Sequence, residues 1–182
     1  MNKKTQFILV SCWILATRFY DAYSTYQFTP ALDKEANPLV SVLGLGWTPL
    51  LAIISILTLI IIYAYYLVTF KSFDLTPKVR GYSLKEFISF TYFGTKENFV
   101  QIFYKIPKGR KRLLFYVGNL FPSMLSFAGL VSTLMWLGIN YYEPYYNFHK
   151  AQYIYILLIV SCLFIIYNWY KKMYNKYLES NE

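Results

Sequence analysis

The sequence predicts an all-α integral membrane protein with four transmembrane helices, both termini in the cytoplasm, and amphipathic helices lying at the membrane interface in a cytoplasmic loop. Three observations predict this fold class. Of the 182 residues, 57% are hydrophobic and only 15% are charged, whereas soluble domains carry about 25% charged residues. Four apolar runs are long enough to cross the roughly 30 Å hydrocarbon core as helices. Basic residues are concentrated beside alternate ends of those runs.

The four predicted spans cover about residues 6–25, 48–70, 113–137 and 151–169, and with their loops they form a single membrane domain, 1–182. The first span is the shortest apolar run and follows a basic start, which is also the pattern of a signal peptide. We predict an uncleaved helix, because charged side chains follow the apolar run directly. Cleavage would leave three spans.

Lysine and arginine counts in the loops predict the orientation, since these residues set topology more strongly than acidic ones do. Of the 18 basic residues, fifteen fall in the predicted cytoplasmic parts and two, Lys34 and Lys150, in the predicted outer loops. Both termini and the long central loop are therefore predicted on the cytoplasmic side of the cell membrane. Trp47, Trp136 and Trp169 fall near span ends, where indole rings settle at the headgroup level.

The central cytoplasmic loop, residues 71–112, is predicted to fold onto the membrane surface. Ser83 and Glu86 have the spacing of a capping box, which predicts a helix from about Leu84. Apolar side chains recur along this helix and along a second segment after Gly94, as in helices that lie flat in the interface. A basic run abuts the third span and is predicted to contact anionic lipid headgroups. Its members are Lys108, Arg110, Lys111 and Arg112.

Several chemistries lack a motif in this sequence. Cys12 and Cys162 lie within apolar runs, so neither a disulfide framework nor a zinc-ligand spacing is available. His149 has no second ligand near it in sequence, and we predict no metal and no cofactor. Nucleophile elbows and glycine-rich phosphate loops are missing from the sequence, so an enzyme is the less favoured class. The net charge of +9 is distributed between apolar spans, which favours anionic lipid over nucleic acid as a partner.

A polar cluster at the end of span one is the predicted functional site. Thr17, Asp21 and Thr25 are four residues apart and share one helix face, and Arg18 is close enough to pair with Asp21. At 1.5 Å per residue, Asp21 lies about 21 Å along the span. An ionisable side chain at that depth faces the protein interior or a water-filled cavity. We therefore expect either a structural ion pair or a polar pocket open to the outside.

The loop after span one carries Glu35 and Asn37, which we expect to fold back and complete that pocket. Asn37 followed by Pro38 also predicts a short helix, because asparagine is favoured at the N-cap and proline at the first helical position. The Asp-x-x-x-Thr motif, followed by Glu-x-Asn-Pro and a long apolar span, resembles a family of small prokaryotic membrane proteins known only as a domain of unknown function. The resemblance covers about residues 18–70 and implies the choice of site residues, with no particular activity.

Span three adds small and polar residues at helical spacing, and such a stripe favours close packing within the bundle or between subunits. The stripe comprises Asn119, Pro122, Ser123, Ser126, Gly129 and Thr133. Asn119 is a further candidate for the ligand site. Pro122 predicts a kink, because it removes a backbone hydrogen bond, and a kink there would open room opposite Asp21.

The residues leave three functional classes open. We favour a non-enzymatic subunit with a channel-like, transport-like or membrane-assembly role, acting as a homo-oligomer or with a membrane partner subunit. In this reading the polar cluster binds a cation, a proton or a polar ligand. The second class is a small membrane enzyme acting on lipid or polyprenyl-phosphate substrates, with Asp21 and Glu35 as acid and base. The third is a membrane effector or sensor of a bacterial defence system, receiving signals through the basic loop.

Overall fold

The computed structural model describes residues 2–33, 35–71, 73, 75–107 and 109–180, and within these ranges its regular elements are all helical. The elements in chain order are α1 (Lys3–Phe28), α2 (Pro38–Ser41), α3 (Trp47–Phe70), α4 (Leu84–Phe93), a 3-10 helix (Phe99–Phe103), α5 (Arg110–Tyr141), α6 (Glu143–Phe148) and α7 (Ala151–Glu179). Four of them are long, and they contain the four predicted apolar runs.

Three of the long helices, α3, α5 and α7, are long and apolar enough to cross a membrane. α1 has 26 residues and is therefore about 39 Å long. Its second half carries Arg18, Asp21 and several hydroxyl side chains, which lower its hydropathy below that of the other three. The predicted all-α fold is confirmed in the described residues, and these three helices have the length and composition of membrane spans.

α5 is the central helix of the bundle. α1, α3 and α7 each pack against it, and α1 also packs against α3. A Cβ atom at Gly118 would collide with the Ala64 carbonyl in α3, and one at Gly129 would collide with the Thr17 side chain in α1. These two glycines therefore let neighbouring helices approach α5 closely, as small residues do between membrane helices. α5 continues through the buried Pro122.

The bundle has two chemically different ends. The basic end holds the first residues of α1 and α5, the last residues of α7, and α4. The loop end holds residues 29–46 and 142–150, which connect the long helices on the opposite side. α1 and α5 therefore run in the same direction, from the basic end to the loop end.

The predicted capping box begins α4 at the basic end. The Ser83 N–H donates to Glu86 Oε2 at 2.9 Å, and the Glu86 N–H donates to Ser83 Oγ at 3.4 Å. The apolar face of α4 packs on protein: Phe87 is fully buried, with its ring centroid 5.5 Å from Tyr174 and 5.2 Å from Tyr177. This corrects the prediction that α4 presents its apolar face to the membrane interface. The hydrophobic cluster of α5 and α7 covers that face instead.

The second segment of the central loop differs from α4. It forms the short 3-10 helix, and its apolar side chains remain exposed, with Val100 58%, Phe103 77% and Ile106 75% accessible. Of the predicted amphipathic pair, this segment is thus the one that leaves apolar surface uncovered.

Arg112 connects the third span to α4. Its Nη1 donates to the Phe90 carbonyl at 3.1 Å and to the Thr91 carbonyl, and its guanidinium lies against Gly94, which ends α4 with a φ of 87°. A cation bound to the last carbonyls of a helix stabilises its C-terminus. Arg112, predicted to contact lipid, therefore acts as a clamp on α4. Arg110 and Lys111 are exposed, and Lys108 lies outside the described residues.

Candidate functional site

Asp21 accepts hydrogen bonds from two side chains of α5. Its Oδ1 accepts from Ser132 Oγ and from Trp136 Nε1, the latter at 3.0 Å. Its Oδ2 lies 3.6 Å from Arg18 Nη1, so the predicted ion pair is present. Ser132 and Trp136 are four residues apart, which places them on one face of α5 opposite Asp21. Trp136 is only 5% exposed, so its ring packs within the protein.

The hydroxyl residues around Asp21 have different roles. Thr25 is buried one turn further along α1 and lines the cavities described below. Thr17 donates to the carbonyls of Trp13 at 2.9 Å and Ile14 at 3.1 Å, and it lies against Gly129 of α5. Thr17 is therefore a packing residue between α1 and α5 and does not line those cavities.

The loop after α1 returns to the site through Glu35 and Asn37. Glu35 Oε1 accepts from the Asn37 N–H at 2.8 Å, and Asn37 Oδ1 accepts from the Leu39 N–H at 3.0 Å. The second bond is the N-cap of α2, with Pro38 at its first position, so the predicted short helix is confirmed. Burial raises the pKa of Glu35, and the Asp21 charge adds to this, although the Asn37 N–H opposes it.

Two cavities open on opposite sides of this cluster. One cavity, of 420 Å³, lies between α1 and α3. The other, of 260 Å³, lies between α1, α5 and α7, and the connection from α6 to α7 also lines it. Both share the same polar wall, which consists of Arg18, Asp21, Thr25, Glu35 and Asn37. Five of the seven predicted ligand-site residues therefore converge at the loop end. His149 lines the smaller cavity, and burial lowers the pKa of its imidazole.

Arg18 is incompletely paired. Its Nη1 faces Asp21, whereas its Nε and Nη2 atoms are buried and have no hydrogen-bond partner within the described parts of the chain. The N–H groups of Nε and Nη2 point the same way along one edge of the planar guanidinium. That edge matches the two oxygens of a carboxylate or phosphate group. The unused capacity of the site is therefore a pair of parallel donors.

Asn119 does not join the site. Its amide donates to the Phe115 carbonyl at 2.8 Å, and it lines a separate cavity of 710 Å³ at the basic end. Pro122 lines that same basic-end cavity, so the room it borders is not opposite Asp21. In the ranges that the model describes, no group of three or more His, Cys, Asp or Glu side chains is arranged to hold a metal ion.

No direct signal in the sequence identified Ser132 and Trp136 as partners of Asp21, because they are 111 and 115 residues away along the chain. The spacing of a hydroxyl and an indole on one face of span three is the only available indication. Comparison with family models, curated proteins and solved structures gave no match. The resemblance of residues 18–70 to a domain of unknown function therefore stays a prediction.

Proposed function

We propose that the protein is a four-span protein of the cell membrane, with both termini in the cytoplasm, whose loop-end site binds a small oxyanion from the outside. It acts as a non-enzymatic subunit with a transport-like role. The ligand's carboxylate or phosphate group binds the free edge of Arg18. Two observations carry this proposal: the Nε and Nη2 atoms of Arg18 are buried without a partner in the described residues, and the Arg18 residue lines both loop-end cavities.

The exposed face of α1 supports its role as the fourth span. Ile8, Leu15 and Phe19 are 46%, 48% and 75% exposed, so apolar side chains face outward while Asp21 and Thr25 face the protein. A polar helix face inside a bundle avoids the cost of placing ionisable groups in lipid. The concentration of lysine and arginine at the basic end supports a cytoplasmic location for that end.

An anion suits the site better than a cation does. The Asp21 carboxylate accepts two hydrogen bonds through Oδ1, and its Oδ2 faces Arg18, so its negative charge already has partners within the protein. Arg18 retains two donors, and a buried donor without a partner is costly, by about 1–3 kcal/mol or more for a charged group. An oxyanion that accepts from both donors removes that cost.

Glu35 couples this binding to protons. The charged or titratable groups that face it are Asp21 and Arg18 on α1, His149 before α7, and Tyr155 on α7. An ionised Glu35 beside Asp21 repels an incoming anion. Because the pKa of Glu35 is raised, the carboxyl binds a proton readily, and the protonated form removes the repulsion. Oxyanion binding is therefore accompanied by proton uptake.

A transport role requires more than one copy or a partner. The basic-end cavity shares no lining residue with either loop-end cavity. A second copy or a membrane partner subunit would complete a pathway, and the exposed face of α7 offers the surface for it, since the apolar part of α7 has no buried residue.

Thermal unfolding of the purified full chain in detergent tests the proposal. Phosphate, acetate, succinate and glycerol 3-phosphate are compared with chloride at equal ionic strength. A ligand at 100 times its dissociation constant stabilises by about 2.7 kcal/mol, so at least one oxyanion should raise the unfolding midpoint. Arg18→Gln should abolish that increase, and Arg18→Lys should reduce it, because lysine keeps the charge but lacks the paired donors.

Arg80→Gln is the matched control, because Arg80 is exposed and outside the site. It should retain the full stabilisation. Equal stabilisation of wild type and Arg18→Gln, or no effect from any oxyanion, would contradict the proposal. Conversion of a probe into a product would instead favour the enzyme class.

A further inference from the structure

The largest of the three cavities, 710 Å³, lies at the basic end, where α1, α5 and α7 meet beside Tyr65 of α3. Its lining extends along α5 from Phe115 to Ser126, a distance of about 16 Å. Ligand pockets typically have volumes of about 300–1,000 Å³. The cavity therefore has room for a molecule that reaches from the bundle end into the apolar interior.

The mouth of this cavity is cationic. Lys172 and Lys176, one turn apart near the end of α7, both line it, and no acidic side chain does. Neither ammonium has a salt-bridge partner within the parts of the chain that the structure describes. An anionic group bound between them would gain two counter-charges at once. The predicted lipid-contact residues Arg110, Lys111 and Arg112 do not line this cavity.

The walls of the cavity are mixed in character. Phe115, Trp169 and Met173 lie near the level of the two lysines, and Val10 and Pro122 lie further in. Polar side chains line the same stretch of α5, namely Asn119, Ser123 and Ser126, and the Ser126 Oγ is buried without a hydrogen-bond partner in the described residues. The cavity thus places apolar surface directly beside two cationic side chains, which matches a molecule with an anionic head and a hydrocarbon chain.

We propose that this cavity binds an anionic glycerophospholipid. Its phosphate contacts Lys172 and Lys176, and one acyl chain lies along α5 beside Phe115 and Pro122. α5 and α7 are each long and apolar enough to cross a membrane, so their basic ends lie where phospholipid headgroups are found. The inference uses none of the loop-end residues, so it is independent of oxyanion binding at Arg18.

Native mass spectrometry of the full chain in detergent tests this inference, with phosphatidylglycerol and phosphatidylcholine of the same acyl chains as probes. Lysines near a membrane surface attract anionic lipid at about 1 kcal/mol each. We expect phosphatidylglycerol to bind about tenfold or more tightly than phosphatidylcholine. Lys172→Gln with Lys176→Gln should lower phosphatidylglycerol binding to the level of phosphatidylcholine.

The matched control is Lys85→Gln with Lys171→Gln, which removes two exposed charges from the same end but none from the cavity. It should change binding less than about twofold. Ser123→Phe fills the cavity from α5 without altering charge and should weaken both lipids. Added glycerol 3-phosphate should not displace phosphatidylglycerol, since it lacks the chain.

Three results would overturn the inference. Equal affinity of the wild type for both lipids would remove the role of charge. An equal loss in the control double variant would reduce it to non-specific attraction. Displacement by glycerol 3-phosphate would show a site for a soluble phosphate. The first and third use the wild-type chain, so they decide the matter even if a variant fails to fold.

Discussion

The two ends of the bundle each place one arginine and one glutamate at a key position, and the two pairs are in opposite states. At the basic end, Arg112 donates to two carbonyls of α4. Glu86 accepts hydrogen bonds from the Ser83 backbone N–H and from Lys96. The first of these has the larger effect, and together they lower the pKa of Glu86 to about 2. At the loop end, Arg18 leaves two buried donors unpaired, and burial raises the pKa of Glu35.

The difference separates a structural role from a binding role. Polar groups that stabilise a fold have their hydrogen bonds and counter-charges supplied by the protein, as at the basic end. Groups held without full partners, with a carboxyl pKa raised by burial and beside a cavity, are typical of functional sites. The two arginines should therefore respond differently to the same substitution.

Arg112→Gln should cause the largest loss of stability among the variants considered. It removes two charged hydrogen bonds to the end of α4, each contributing about 1.5–3 kcal/mol, so we expect a loss of about 3 kcal/mol or more in the free energy of unfolding. Arg18→Gln should change that free energy by less than about 1 kcal/mol, because it also removes unpaired buried donors. Denaturation of both purified variants in detergent measures the contrast.

Lys111→Gln is the control for this pair, because Lys111 is exposed next to Arg112 in sequence. It should be neutral within about 0.5 kcal/mol. If Arg18→Gln were as destabilising as Arg112→Gln, the distinction between an arginine whose donors have partners and one whose donors lack them would be wrong.

Asp21→Asn should have the next largest effect. Asparagine keeps an oxygen for Ser132 and Trp136 but removes the counter-charge of Arg18, which leaves a partly buried cation unpaired. We expect a loss of about 1–2 kcal/mol in the free energy of unfolding. Glu143→Gln, an exposed change at the same end, should have no measurable effect, and equal losses in both variants would contradict the assignment.

These contrasts also show what the sequence could predict. Local signals were sufficient for the capping box at Ser83, the N-cap at Asn37 and the pairing of Asp21 with Arg18, because each depends on neighbours within one or two helical turns. The partners Ser132 and Trp136 depend on how α1 and α5 pack, which no local pattern contains. The fate of the apolar face of α4 likewise depended on tertiary packing, since amphipathicity alone does not distinguish a protein surface from a membrane surface.

The prediction that Asn119 joins the ligand site was wrong, because Asn119 and Asp21 lie at different distances from the basic end of the bundle. α1 and α5 start at the same end, and Asp21 lies about 27 Å along α1, whereas Asn119 lies only about 14 Å along α5. Ser132, about 33 Å along α5, is at the level of Asp21. Periodicity identified the polar face of the span correctly but gave no level, and the predicted topology already contained the information needed to separate the two residues.

Glu35→Gln gives a smaller, pH-dependent effect. Since the folded pKa of Glu35 is raised, Glu35 contributes stability below its unfolded pKa of about 4.3, and that contribution is lost as the pH rises through the folded pKa. The glutamine variant has no such loss. Between pH 4 and pH 8 its free energy of unfolding should therefore rise relative to that of wild type. A constant difference across this range would contradict the raised pKa.

Glu86→Gln should show the smallest effect, with the opposite sign. The folded pKa of about 2 lies below the unfolded value of about 4.3, so Glu86 contributes stability above the unfolded pKa that is lost as the pH falls toward 2. Wild type should unfold at a higher temperature than Glu86→Gln at pH 6, and the gap should close between pH 5 and pH 2. Glu179→Gln, an exposed change at the same end, should open no such gap. As the pH rises, Glu35→Gln should gain stability relative to wild type and Glu86→Gln should lose it, so the two variants test the contrast between the ends directly. A change of the same sign in both variants would mean that the two ends do not differ in the way their hydrogen bonds indicate.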